Sequence, residues 1–274
     1  MILDRPLNDA EALALLEWYQ AAGVDVPVGE APVDRFAASA ALTPRRTAAP
    51  SPPALIRRAE PAPEPAAIVA NADPSETRAL AAGARTLDEL RAVMDAYDGC
   101  VLKKRATQLC FADGNPEAQI MMVGEGPGAE EDRLGKPFVG RAGQLLDRML
   151  AAIGLDRTKV FIVNMVPWRP PGNREPTPEE LALCTPFVFR QIELVRPKIL
   201  VTLGNVPTQN LFGTKSGITR MRGQWRDITI NSLTLPTLPT LHPAYLLRQP
   251  AAKAQAWRDL LSLKAEMRKR GVEV

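Results

Sequence analysis

Four short apolar runs punctuate the chain: AQIMMVG at 118–124, KVFIVNMV at 159–166, KILVTLG at 198–204 and LPTLPTLHP at 235–243. Runs of this length without polar alternation read as strands buried on both faces. Helical patterns separate them, at 140–153, at 177–197 and in the closing stretch PAAKAQAWRDLLSLKAEMRKR. In the 177–197 helix Thr177 is the expected N-cap, Pro178 the first position and Glu180 the capping-box partner. Asn205 can cap a short helix through Leu211. Strands that alternate with helices imply a parallel sheet covered on both sides. Ligand sites in such sheets lie beyond the carboxyl ends of the strands. Three loops meet that condition: GEGPGAEED (124–132), NMVPWRPPGNREP (164–176) and LHPAYLLR (241–248).

The first 75 residues have a different character. Residues 1–26 hold a short amphipathic helix, with Ala12, Leu13, Leu16, Tyr19 and Gln20 at helical spacing and Asp9 as a candidate N-cap. Residues 27–75 are crowded with proline and alanine, as in TAAPSPPALIRRAEPAPEPAA, and read as a flexible linker because they cannot bury enough apolar surface. A folded domain is expected over 76–274, opening with one helix, TRALAAGARTLDELRAVMDAY. A hydrophobic fraction of 46% supports a sizeable core, and a net charge of +3 is compatible with nucleic acid without arguing for it. No run of about 18 apolar residues exists, so no membrane span is expected. The N-terminus lacks a basic region and a small-residue cleavage site, and three cysteines do not suggest a disulfide framework, so the cytoplasm is the expected compartment. No internal repeat is apparent.

The loop residues have more than one reading. Gly124, Gly126 and Gly128 make a tight turn, but the lysine of a phosphate-binding loop is missing. Glu125 either caps the following helix or faces a ligand. His242, the one histidine, is structural or reactive, and Phe138 in KPFVG belongs to a core or stands on a stiff loop. Asn164 ends an apolar strand, where a buried amide must be satisfied or must recognise a hydrogen-bonding edge. Arg169 and Arg174 sit on a proline-stiffened loop, as phosphate contacts or as solvated charge.

Taken together, GEGPGAEED, GKPFVGRAGQLLD, NMVPWRPPGNREPTPEE and LHPAYLLR resemble the uracil-DNA glycosylase superfamily, specifically its family 4 type, over about residues 97–268. The resemblance implies a three-layer α/β/α sandwich around a central four-stranded, mainly parallel sheet. It implies hydrolysis of the N-glycosidic bond of a flipped-out uracil in DNA, in base-excision repair, with free uracil released. By position, Glu125 would activate the attacking water and His242 would bond uracil O2. Phe138 would stack on the base and Asn164 would pair with its Watson–Crick edge. Gly126 and Glu131 would line the pocket against thymine. Leu246, Leu247 and Arg248 would form the wedge, with Arg169 and Arg174 near the DNA backbone. A monomer acting on uracil-containing DNA is expected, with the N-terminal helix a candidate docking element for another protein. The other functions weighed are a non-catalytic DNA-binding scaffold that keeps the pocket and a metal-dependent nucleotide-phosphate hydrolase.

One departure from the family is plain. Its members usually hold a [4Fe–4S] cluster on four cysteines; here Cys100 and Cys184 occupy two of those positions, while Tyr97 and Trp168 stand at the others. Cys110 lies at the wrong spacing to substitute. Four thiolates are needed, so no cluster and no other cofactor or metal is expected, with the two aromatic rings packed into the space.

Overall fold

The computed structural model describes residues 73–272 and, upstream, only Asp9 and Leu13. The expected N-terminal helix at 1–26 and nearly all of the proline/alanine stretch lie outside the described residues. The folded part begins slightly before its expected start. Helix α1 spans Pro74–Gly83 with Asp73 accepting from the Ser75 N–H, and α2 spans Leu87–Ala96 with Thr86 accepting from the Glu89 N–H. These are two helices where the sequence pattern predicts one. The break falls at Ala84–Thr86, where the spacing of Thr86 and Glu89 supplies a fresh N-terminus.

The sheet has six strands in the order β1-β3-β2-β4-β6-β5. They are β1 (Asp113–Gly114), β2 (Ile120–Gly124), β3 (Phe161–Asn164), β4 (Ile199–Leu203), β5 (Arg226–Ile230) and β6 (Leu233–Thr240). The four expected strands form the contiguous parallel block β3-β2-β4-β6. The expectation of a four-stranded sheet is corrected by β1 and β5, which add antiparallel edges on β3 and β6. Strand β1 has only two residues, and only Ile228 and Ile230 of β5 are buried, so neither carries an apolar run.

The apolar runs are explained by burial on both faces. On β2, Ile120 and Met122 face one core while Met121 and Val123 face the other. The first core is roofed by α4 (Arg141–Ala152), α8 (Pro243–Arg248) and α9 (Lys253–Lys269). The second lies under α5 (Pro178–Val195) and α6 (Asn205–Phe212). A third cluster joins α1 and α2 to the outer side of α5, through Leu90, Met94, Tyr97, Trp168 and Phe187. Two short helices, α3 (Ala129–Leu134) and α7 (Ile218–Met221), flank the carboxyl ends of the strands. Thr177 and Glu180 form the expected capping box on α5. The cap of α6 is Gly204 rather than Asn205, whose side-chain oxygen instead accepts from the Ile218 N–H at 3.1 Å.

Candidate active site

Strand register brings the predicted loops to one rim. Gly124 at the end of β2 pairs with Asn164 at the end of β3, and the ladder continues past both, with Met165 N–H on Gly124 O at 2.9 Å. His242 lies two residues beyond β6, whose Thr240 carbonyl accepts from the Gly204 N–H. Between these ends lies a cleft of about 530 Å³, with Glu125, Phe138, Asn164 and His242 among its walls. Gly126, Glu131, Arg174 and Arg248 line it too.

Asn164 is 4% exposed, and its Oδ1 has no hydrogen-bond donor. A buried acceptor left unsatisfied costs about 1–3 kcal/mol, and the described side chains supply no donor to this one. Gly124 makes room for this amide and for the neighbouring ring: a Cβ there would stand 2.5 Å from Asn164 Oδ1 and 2.6 Å from the Phe138 ring. The Phe138 ring is buried, 5.5 Å from the His242 ring between centroids, and its backbone has φ of 56°, in the left-handed region that bulky residues seldom enter.

His242 is also the N-cap of α8. Its Nδ1 accepts from the Ala244 N–H at 3.1 Å. A ring nitrogen that accepts carries no proton, so the neutral ring keeps its proton on Nε2. Burial, with help from the positive charge of Arg248, holds the imidazole down at about 4. Glu125 follows the opposite logic for its charge: burial pushes its carboxyl above the ordinary carboxylate range, Glu175 adds to that rise, and Arg248 offsets part of it.

Glu131 lines the cleft as expected and is also a brace. Its Oε1 accepts from the Val139 and Gly140 N–H groups at 3.0 and 2.8 Å, and its Oε2 from the Gly128 N–H at 3.1 Å. Both oxygens are engaged in tying the glycine turn to the Phe138 loop. Leu246 is corrected outright as a wedge: it is 1% exposed in the core beneath α8, while Leu247 on the next position is 38% exposed beside exposed Arg248. Arg169 does not line the cleft, and its Nε donates to Asn173 Oδ1. Arg174 does line it, yet its guanidinium grips the Glu180 carboxylate in two bonds of 2.8 and 2.6 Å. Sequence reasoning missed Gly204, Asn205, Thr219 and Tyr245, which close the far wall. The glycine that ends KILVTLG was the available signal for that wall.

The four positions matched to the family's cluster ligands lie together. Cys100 and Cys184 are buried with their Sγ atoms 4.0 Å apart. The Tyr97 ring stacks on Trp168 at 6.4 Å and meets Phe187 edge-on at 5.4 Å. Among the described residues no three His, Cys, Asp or Glu side chains form a metal-holding group. Two thiols among packed aromatic rings do not fit a four-iron cluster, which needs four thiolates.

Comparison with known proteins agrees with the geometry. The pattern of the "Uracil DNA glycosylase superfamily" matches residues 111–261. A protein of Thermotoga maritima named type-4 uracil-DNA glycosylase is 41% identical over 175 residues, covering 63% of this chain and 90% of that one. Proteins of the same name from Archaeoglobus fulgidus and Sulfurisphaera tokodaii are 38% and 40% identical, covering 64% and 60% of this chain and 89% and 77% of theirs. With the family pattern spanning more than half of the sequence and falling on the strands and loops that build the cleft, the chain belongs to the uracil DNA glycosylase superfamily.

Proposed function

We propose that this protein is a uracil-DNA glycosylase, a hydrolase that removes uracil from DNA and leaves an abasic site for repair. The observation that carries the reading furthest is the donor-less, buried Oδ1 of Asn164. Uracil presents an N3–H donor next to an O4 acceptor, and one amide held with Oδ1 toward N3 and Nδ2 toward O4 satisfies both. The N3 of cytosine is an acceptor and would repel the same Oδ1.

The other residues fit the same base. The target bond is unreachable inside a duplex, so the nucleotide must be flipped out at a cost of a few kcal/mol. Stacking on Phe138 returns about 1–3 kcal/mol, and Leu247 with Arg248, both exposed, fills the gap in the duplex. In the reaction a water oxygen bonds to C1′ while the C1′–N1 bond breaks with its electron pair leaving on the base; the proton that the water sheds passes to the Glu125 carboxylate, and a proton from solvent neutralises the released uracil anion. Ionised Glu125 orients that water and faces the positive charge growing on the sugar. The neutral His242 donates Nε2–H to uracil O2 as negative charge spreads over the base. Glu131 holds the turn and the Phe138 loop rather than touching the base. Arg174, gripped by Glu180, reaches DNA only through its free edge. We further propose that the protein works without an iron–sulfur cluster, since rings occupy the positions of two ligands.

The test is incubation with a uracil-containing oligonucleotide in EDTA, followed by alkali. Strand breakage at uracil, and none at cytosine or thymine, is expected. No breakage would favour a binding scaffold, and breakage that requires added metal would favour a phosphate hydrolase; either result overturns the reading.

A further inference from the structure

The Phe138 loop is held from outside the cleft as well as from within it. Phe138 holds an unfavourable backbone conformation (φ 56°), and something must keep it there. Glu131 takes up the N–H groups after Phe138; the carbonyls before and at Phe138 are taken up by Arg157. The Arg157 Nη1 donates to Pro137 O at 3.2 Å and its Nη2 to Phe138 O. The same guanidinium is fixed by two carboxylates, through Nη1 to Asp113 Oδ2 at 2.6 Å and Nε to Asp147 Oδ1 at 2.8 Å. Lys136 also pairs with Asp113, at 3.4 Å. On the third side Gly143 of α4 is bare because a Cβ would overlap the Phe138 carbonyl.

We infer that Arg157 is a positioning residue for uracil excision, setting the Phe138 ring against the base by clamping the carbonyls of its loop to β1 and α4. This rests on the stacking role given to Phe138 above. Arg157 does not line the cleft, and its side chain is 24% exposed, so it acts through the loop and not on the substrate. The clamp needs donors diverging from a planar fork toward four acceptors, which a single ammonium cannot span. Asp113 lies on the short edge strand β1, where it pairs with Ile162 of β3.

A double-mutant cycle tests the inference. Single-turnover excision and thermal midpoint are measured for the wild type, Arg157→Lys, Phe138→Ala and the double variant. Misplacement of a reacting partner by about 1 Å costs on the order of 100-fold, so Arg157→Lys is expected to slow excision by about 10- to 100-fold when Phe138 is present. In the Phe138→Ala background the same change is expected to have almost no effect. Asp147→Asn, which loosens one anchor at an exposed rim, is expected to repeat that background dependence at smaller size and decides the matter if Arg157→Lys does not fold. An equal loss in both backgrounds, or no loss in either, overturns the inference while leaving the stacking role standing. A wild-type rate for Phe138→Ala overturns the stacking role itself, and the inference with it.

Discussion

At His242 one ring both begins a helix and faces the cleft. Because Nδ1 accepts from the Ala244 N–H, the tautomer is set by the helix start and not by the ligand. Its depressed value of about 4 keeps the ring neutral through the physiological range, so in the proposed role it would meet the base as a hydrogen-bond donor and not as a cation. In the proposed mechanism Glu125 orients water as the carboxylate, so its raised value would move the acid limb of activity upward. Protonation therefore switches excision off at a pH above that of an ordinary carboxylate. The sign for stability is the reverse: ionised Glu125 costs folding energy at neutral pH, and that cost is relieved as pH falls through its raised value. We expect kcat/KM to fall with unit slope on the acid side, and Glu125→Gln to lose both that limb and about 100-fold in rate. A limb that survives Glu125→Gln but vanishes in His242→Asn would show that the histidine titrates instead.

At the scale of elements, the third core cluster holds the four positions that the resemblance matches to cluster ligands. Helix α2 ends at Tyr97, whose ring packs between Trp168 and Phe187 and whose hydroxyl meets Thr77 of α1 at 3.0 Å. Apolar packing thus joins α1, α2 and α5 at positions matched to metal ligands. The purified protein is expected to carry no stoichiometric iron and no visible absorbance band, and Trp168→Ala to cost about 3–5 kcal/mol of stability. Iron bound in stoichiometric amount would contradict this account. That Tyr97 and Trp168 stand at two of the family's ligand positions follows from the resemblance and from no local pattern in the sequence. The role of Leu246 was not legible: in YLLR two adjacent leucines compete for the core, and a helix of barely two turns offers too little periodicity to choose between them. Edge strand β5 was hidden for a related reason, since RDITI buries only two side chains.

For the molecule as a whole, the parallel order of the four central strands brings loops separated by more than a hundred residues to one rim. That convergence was readable because buried strands carry continuous apolar runs and their carboxyl ends carry the glycines, the amide and the histidine. What could not be read was the bracing: the bonds of Glu131 and Arg157 to the Phe138 loop depend on tertiary positions that no local pattern encodes. No helix among the described residues is long and apolar enough to cross a membrane. The central claim is that one pyrimidine is read by an amide, a ring and an imidazole at once. A crystal structure with free uracil tests it most directly. We expect Asn164 Oδ1 to accept from N3–H and His242 Nε2 to donate to O2, each at about 2.7–3.2 Å, with the base lying on the Phe138 ring. Uracil bound elsewhere, or bound in the cleft with N3 turned away from Asn164, would contradict the account.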